Sequence, residues 1–107
     1  MKLLEPRGRV FVYGRPTDMR KGFTGLQALV LQNLGEDPLS GDLFVFVNRR
    51  RTYIKCLVWD RTGFVILYKH LERGRFQLRN SAEKVELDRR RLELFLDGIE
   101  VGGITAD

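Results

Sequence analysis

The sequence predicts a single α+β domain spanning residues 1–107. The expected architecture is an antiparallel β-meander of about five to six strands, with one main helix packed on it and a short C-terminal helix. Three observations lead there. Apolar runs at 43–47, 53–59 and 64–69 are joined by connections of a few residues, which suit hairpins rather than crossovers. One stretch, 23–34, sets Phe23, Leu26, Val30 and Leu34 at spacings of three, four and four, the buried stripe of a helix. A chain of 107 residues with 43% hydrophobic and 10% aromatic residues supplies one core and too little for two.

The elements follow in order. Residues 9–13 read as a strand, since Val10, Phe11, Val12 and Tyr13 are β-branched or aromatic, and Gly14, Arg15 and Pro16 are expected to break it. Thr17 or Asp18 is placed to cap a helical turn, because a side-chain oxygen there accepts from free backbone N–H groups. The helix then runs over 23–34 and closes at Gly35. Residues 36–42 are rich in turn formers and form a loop. In 53–59, Ile54, Cys56 and Val58 share one face, while Tyr53, Lys55, Leu57 and Trp59 share the other. Both sets are largely apolar, which places this strand in the sheet interior, covered on both sides. Residues 75–78 and 84–87 are expected to add a hairpin at one edge. Asp88 should cap a last helix, 89–96, with Leu92, Phe95 and Leu96 inward and Gly98 closing it. The tail 101–107, with two adjacent glycines, is expected to fray.

Composition narrows the function. Apolar runs such as 43–47 and 64–68 are five residues long, far below the roughly 20 that span a bilayer, and no membrane partner is expected. Glu5 and Pro6 follow Lys2-Leu3-Leu4 directly, so no signal-peptide apolar region is read. The one cysteine, Cys56, excludes an internal disulfide and fits a cytoplasmic setting; its apolar neighbours at two-residue spacing mark it as a buried core residue. One cysteine and one histidine, His70, cannot furnish four zinc ligands, and no cofactor is expected. Neither a phosphate-cradling glycine loop nor a nucleophile with an evident base is present, so no small-molecule substrate is expected. Asp18, Asp42, Asp60 and Glu72 are the carboxylates that two-metal chemistry would need, yet each adjoins a turn, a helix start or a cation. The chain is therefore read as non-enzymatic. The net charge is +5, but residues 49–79 alone hold nine cations against Asp60 and Glu72, or +7. A basic segment of this kind raises the local concentration of polyanions, or is a well-solvated surface that keeps the protein soluble.

Four segments carry a resemblance to a known family: Thr17-Asp18-Met19-Arg20-Lys21-Gly22-Phe23-Thr24-Gly25-Leu26; residues 37–46, from Asp37-Pro38-Leu39 to Phe46; Trp59-Asp60 with Gly63; and residues 67–76, from Leu67-Tyr68-Lys69-His70 to Phe76. In order and spacing these resemble the small accessory proteins (TnpB, the second open reading frame product) of insertion sequence 66 type bacterial transposons. The likeness runs from about Val10 to Phe76; beyond Arg79 only the general character matches. It implies a role in DNA transposition beside a larger transposase that performs the strand cleavage.

Three basic groups are candidate nucleic-acid contacts. Arg49, Arg50 and Arg51 are placed at a hairpin tip, and arginine suits both phosphate and guanine. Lys69, Arg73 and Arg75 flank Gly74, whose backbone can approach an anion closely; the competing reading pairs Glu72 with Arg73 or Lys69. Arg20 and Lys21 either project beside a helix start as a phosphate site or are fixed by an ion pair from Asp18. Trp59 and Tyr68 would stack on bases if exposed, but in apolar strands they are expected in the core, as is Phe23. Two functions remain open: an accessory factor that binds DNA at transposon ends through this basic surface, or an adaptor that binds the transposase or another element-encoded protein and never touches DNA.

Overall fold

The computed structural model describes residues 5–79 and 82–104. The chain forms β1 (Val10–Pro16), α1 (Phe23–Leu29) running directly into a π-helical segment (Val30–Leu34), β2 (Leu43–Val47), β3 (Tyr53–Trp59), β4 (Phe64–His70), β5 (Lys84–Leu87) and α2 (Arg89–Leu96). The five strands make one sheet in the order β4-β3-β2-β1-β5.

The sheet is mixed, which corrects the expected antiparallel meander. β2, β3 and β4 do form consecutive hairpins, with Val45 opposite Cys56 and Cys56 opposite Leu67. β1, however, lies parallel to β2, with Val10 opposite Leu43. The cause is the helix between them: a helical crossover returns the chain to the same end of the sheet, so the two strands it joins point the same way. The predicted hairpin of 75–78 with 84–87 is also absent. β5 pairs antiparallel with β1 instead, Val12 opposite Val85, while Leu78 makes a lone parallel bridge to Val101.

β1 continues past the expected break at Gly14 and reaches Pro16, with a register shift between Tyr13 and Pro16. Proline is tolerated beyond such an irregularity, where the regular ladder has already been interrupted. The tail likewise departs from expectation over its described part. Val101 is buried, Arg79 donates to its carbonyl at 2.7 Å, and Ile104 donates to Glu86 O at 3.0 Å. Residues 105–107 lie outside the described residues.

Alternation along the strands gives the sheet two apolar faces, each covered by one helix. On one face, Val10, Val12, Val45, Ile54, Cys56 and Leu87 pack with Phe76 and with Leu92, Phe95 and Leu96 of α2. On the other, Phe11, Tyr13, Phe44, Phe46 and Leu57 pack with Leu26, Val30 and Leu34. The predicted helical stripe is thus buried except at its first member: Phe23, the first residue of α1, is 49% exposed. Burial pushes the Cys56 thiol up to about 12, against the opposing influence of Lys69, so it remains a neutral core group.

The two helices begin differently. Asp88 caps α2 as expected, accepting from Arg91 N at 2.8 Å. Asp88→Ala should lower stability by about 1 kcal/mol, read as a fall in Tm, whereas Asp88→Asn keeps an acceptor and should melt near the parent. Equal melting of all three proteins would remove the cap from the account. α1, in contrast, starts after Gly22 with no side-chain cap, so neither Thr17 nor Asp18 serves it.

Candidate nucleic-acid interface

The β2–β3 turn is fixed by Asn48. Its Oδ1 accepts from Thr52 N at 2.8 Å and from Tyr53 N at 3.0 Å, and its carbonyl accepts from Arg51 N at 3.1 Å. Within that frame Arg49, Arg50 and Arg51 are exposed, and Arg51 takes a left-handed φ of 63°. A side-chain amide that holds two backbone N–H groups makes the turn a defined scaffold for three guanidinium groups.

The segment after β4 docks onto this turn. Leu71 N donates to Thr52 O and Phe76 N donates to Arg51 O, both at 2.8 Å. Phe76 is fully buried against Phe95, which anchors the segment to the core. Gly74, at φ 78°, reverses the chain between exposed Arg73 and Arg75. Two basic groups that are far apart in sequence therefore adjoin at one end of the sheet. Arg15, at the end of β1, lines a small cleft there with Arg49, Arg51 and Phe76. Among the described residues, Arg49, Arg50, Arg51, Arg73 and Arg75 have no acidic partner, although many other basic side chains of the chain are paired.

The remaining predicted cations are placed elsewhere. Lys69 points to the α2 side of the sheet, where its Nζ donates to Leu96 O at 2.6 Å and lies 3.8 Å from Asp97. Its charge is thereby spent on the C-terminal end of α2, where a cation is favoured. Arg20 is held by Asp18: its backbone N–H and its guanidinium both donate to that carboxylate, the latter at 2.7 Å. These bonds hold the Asp18 carboxyl down at about 2. The pair's contribution is therefore present above the ordinary carboxylate range and is lost as pH falls toward 2. Of the two roles open for Asp18, the ion pair is the one formed. Lys21 is exposed, and its carbonyl accepts from Lys55 Nζ at 2.8 Å. Glu72 pairs with His70 at 3.0 Å, not with Lys69 or Arg73.

Several surface aromatics escaped the sequence reading. Tyr68, expected in the core, is 54% exposed, and Trp59 is half-buried against Phe64. Tyr53 and His70 stack across the β3–β4 pair, with ring centres 4.2 Å apart. Alternation put Tyr53 and Lys55 on one face, but only the reach of α1 decides which part of that face is covered. At the opposite end of the sheet, Leu39, Val58, Trp59 and Val65 line an open groove of about 640 Å³. Among the described residues no cluster of three or more His, Cys, Asp or Glu side chains is arranged to hold a metal ion. No helix among them is long and apolar enough to cross a membrane.

A family model described as "IS66 Orf2 like protein" matches residues 8–106. Two proteins of Sinorhizobium fredii (strain NGR234) are similar over 68 residues, 64% of this chain. They are the uncharacterized protein y4jC, 43% identical, and the uncharacterized protein y4hO, 41% identical. The matched segment spans 58% and 59% of their respective lengths. No solved structure matches.

Proposed function

The chain belongs to the IS66 Orf2-like family, and from that premise we propose that it is a non-catalytic accessory protein of transposition that binds DNA through its basic end. The observation that carries this reading is the junction of Arg49–Arg51 with Arg73 and Arg75 through the Arg51–Phe76 and Thr52–Leu71 backbone bonds, without acidic partners among the described residues. Arginines held on a rigid turn and left uncompensated are suited to phosphate oxygens. Such contacts give affinity and position with little sequence information, so discrimination of element ends is left to the transposase or to DNA shape. Lys69 is engaged with the end of α2 and Arg20 with Asp18, while Lys21 is exposed beside Lys55.

The test is fluorescence anisotropy with an element-end duplex and a scrambled duplex across a salt series. Log affinity should fall with log salt by about 0.9 for each phosphate engaged. The triple change Arg49→Ala, Arg50→Ala, Arg51→Ala should flatten that slope by roughly 0.9 for each arginine in contact. An unchanged slope would remove the turn from the interface.

A second reading is favoured by one observation. The groove at the far end of the sheet is bordered by Leu39, 55% exposed, and Val65, 45% exposed. Exposed apolar side chains around a groove suit a protein partner, here the transposase or another element-encoded protein. A folded protein that binds neither duplex at low salt would overturn the first reading in favour of this one and direct the next measurement at the transposase.

A further inference from the structure

We propose that the outer surface of the β3–β4 pair is a stacking platform for unpaired nucleotides, so that the protein engages single-stranded DNA there. This rests on the DNA-binding reading above and extends it from phosphate to base.

The platform is built by register. Tyr53 lies opposite His70, and Lys55 lies opposite Tyr68, so all four project from the face that α1 covers only in part. Tyr53 and His70 stack at 4.2 Å, Tyr68 tilts against Tyr53 at 5.5 Å, and Lys55 Nζ sits 4.9 Å above the Tyr68 ring. Lys55 also binds the carbonyl of Lys21, which brings the start of α1, with exposed Phe23, to the platform's border. Glu72 holds the His70 ring at the other end. Tyr53 and His70 directly adjoin the two segments that bear Arg49–Arg51 and Arg73. A stripe of rings thus begins at the basic end and ends at two lysines.

A half-exposed tyrosine leaves apolar surface in water that core packing would have removed, and Tyr68 stays 54% exposed even with Lys55 and Tyr53 against its ring. Flat rings flanked by cations match the needs of unpaired bases, which stack on π-faces while their phosphates meet arginine and lysine. Bases within a duplex are already stacked on one another and cannot reach the rings. The segments that adjoin Tyr53 and His70 carry Arg49, Arg50, Arg51 and Arg73, which have no acidic partner among the described residues, while the Glu72 carboxylate at the His70 ring is paired there; this charge favours a polyanion as the occupant.

The test compares three probes bound to the full chain by anisotropy at one salt concentration: an oligo(dT) strand, a strand of equal length made of abasic sites, and a duplex. The parent protein should bind oligo(dT) more tightly than the abasic strand, because both carry the phosphates and only one carries bases. Tyr68→Ala should weaken oligo(dT) binding roughly five- to a hundredfold, with abasic and duplex binding unchanged. Tyr68→Phe should keep the parent's affinity. Equal parental affinity for oligo(dT) and the abasic strand would overturn the platform, and this comparison needs no variant. Equal loss on all three probes in a folded Tyr68→Ala protein would also overturn it. Tighter binding to an oligo(rU) strand than to oligo(dT) would overturn DNA as the occupant. Salt-sensitive duplex binding alone would leave the proposed function standing without the platform; no binding to any probe would remove both.

Discussion

Phe76→Ala should be among the most damaging single changes to this protein, lowering stability by about 3–5 kcal/mol and Tm by more than about 10 °C. The ring is fully buried and packs at 5.7 Å from Phe95, on the face covered by α2. Truncation leaves a cavity among the sheet residues, Leu92 and Phe95 that a short loop cannot collapse to fill. The same residue donates from its backbone to Arg51 O, so the loosened anchor also frees the segment bearing Arg73 and Arg75 from the β2–β3 turn. Thermal melting reads the first effect. The second should appear as faster hydrogen exchange at the Phe76 amide under conditions where the protein remains folded. Phe76→Leu, which refills most of the space, should lose less. A Phe76→Ala protein that melts with the parent would show that the segment is held by other means and that the junction of the two basic groups is not anchored here.

Gly14→Ala is the second large effect. A Cβ at this position would stand 2.0 Å from the Ala82 carbonyl oxygen and 3.1 Å from its carbon. Both are backbone atoms, so relief requires the strand to move rather than a rotamer to change. Gly14 N also donates to Glu83 O at 2.8 Å, at the very start of the β1–β5 ladder. Displacement there breaks that bond and separates the exposed Arg15–Glu83 ion pair. Overpacking of this kind typically costs about 1–3 kcal/mol and can cost more where backbone must give. Urea unfolding should show a lower midpoint with an unchanged m-value. An unshifted midpoint would mean that β1 and the chain before β5 are farther apart in solution than in this structure.

The helix over 23–34, the α2 cap at Asp88 and the two short hairpins were legible because each is set by neighbours within a few residues. The sheet order was not. Pairing of β1 with β2 and β5 is a choice among distant partners, and local periodicity carries no information about it. Gly14 shows the same limit: as a sequence feature it marks a break, while in the fold it permits close approach of the chain just before β5. The arginine turn and the Arg73–Arg75 segment were readable as separate basic groups, but not their junction, which is made by two backbone hydrogen bonds. Lys69 looked like a member of that group by sequence position, yet strand alternation sends it through to the other side of the sheet to meet Leu96 O. Tyr68 was misjudged because an apolar strand does not reveal how far the covering helix extends.

The position of β1 between β2 and β5 orders the assembly of the fold in time. During synthesis β2, β3 and β4 emerge in succession and can pair at once through tight turns, since their partners are nearby in the chain. β1 emerges earlier but finds its second neighbour only when Val85 and Leu87 arrive opposite Val12 and Val10. Until then one edge of a nearly complete sheet stays open, with apolar Val10, Val12, Phe11 and Tyr13 beside it. An open edge of this composition invites pairing between nascent chains. The last strand thus covers an edge of β1 that would otherwise present unpaired backbone groups.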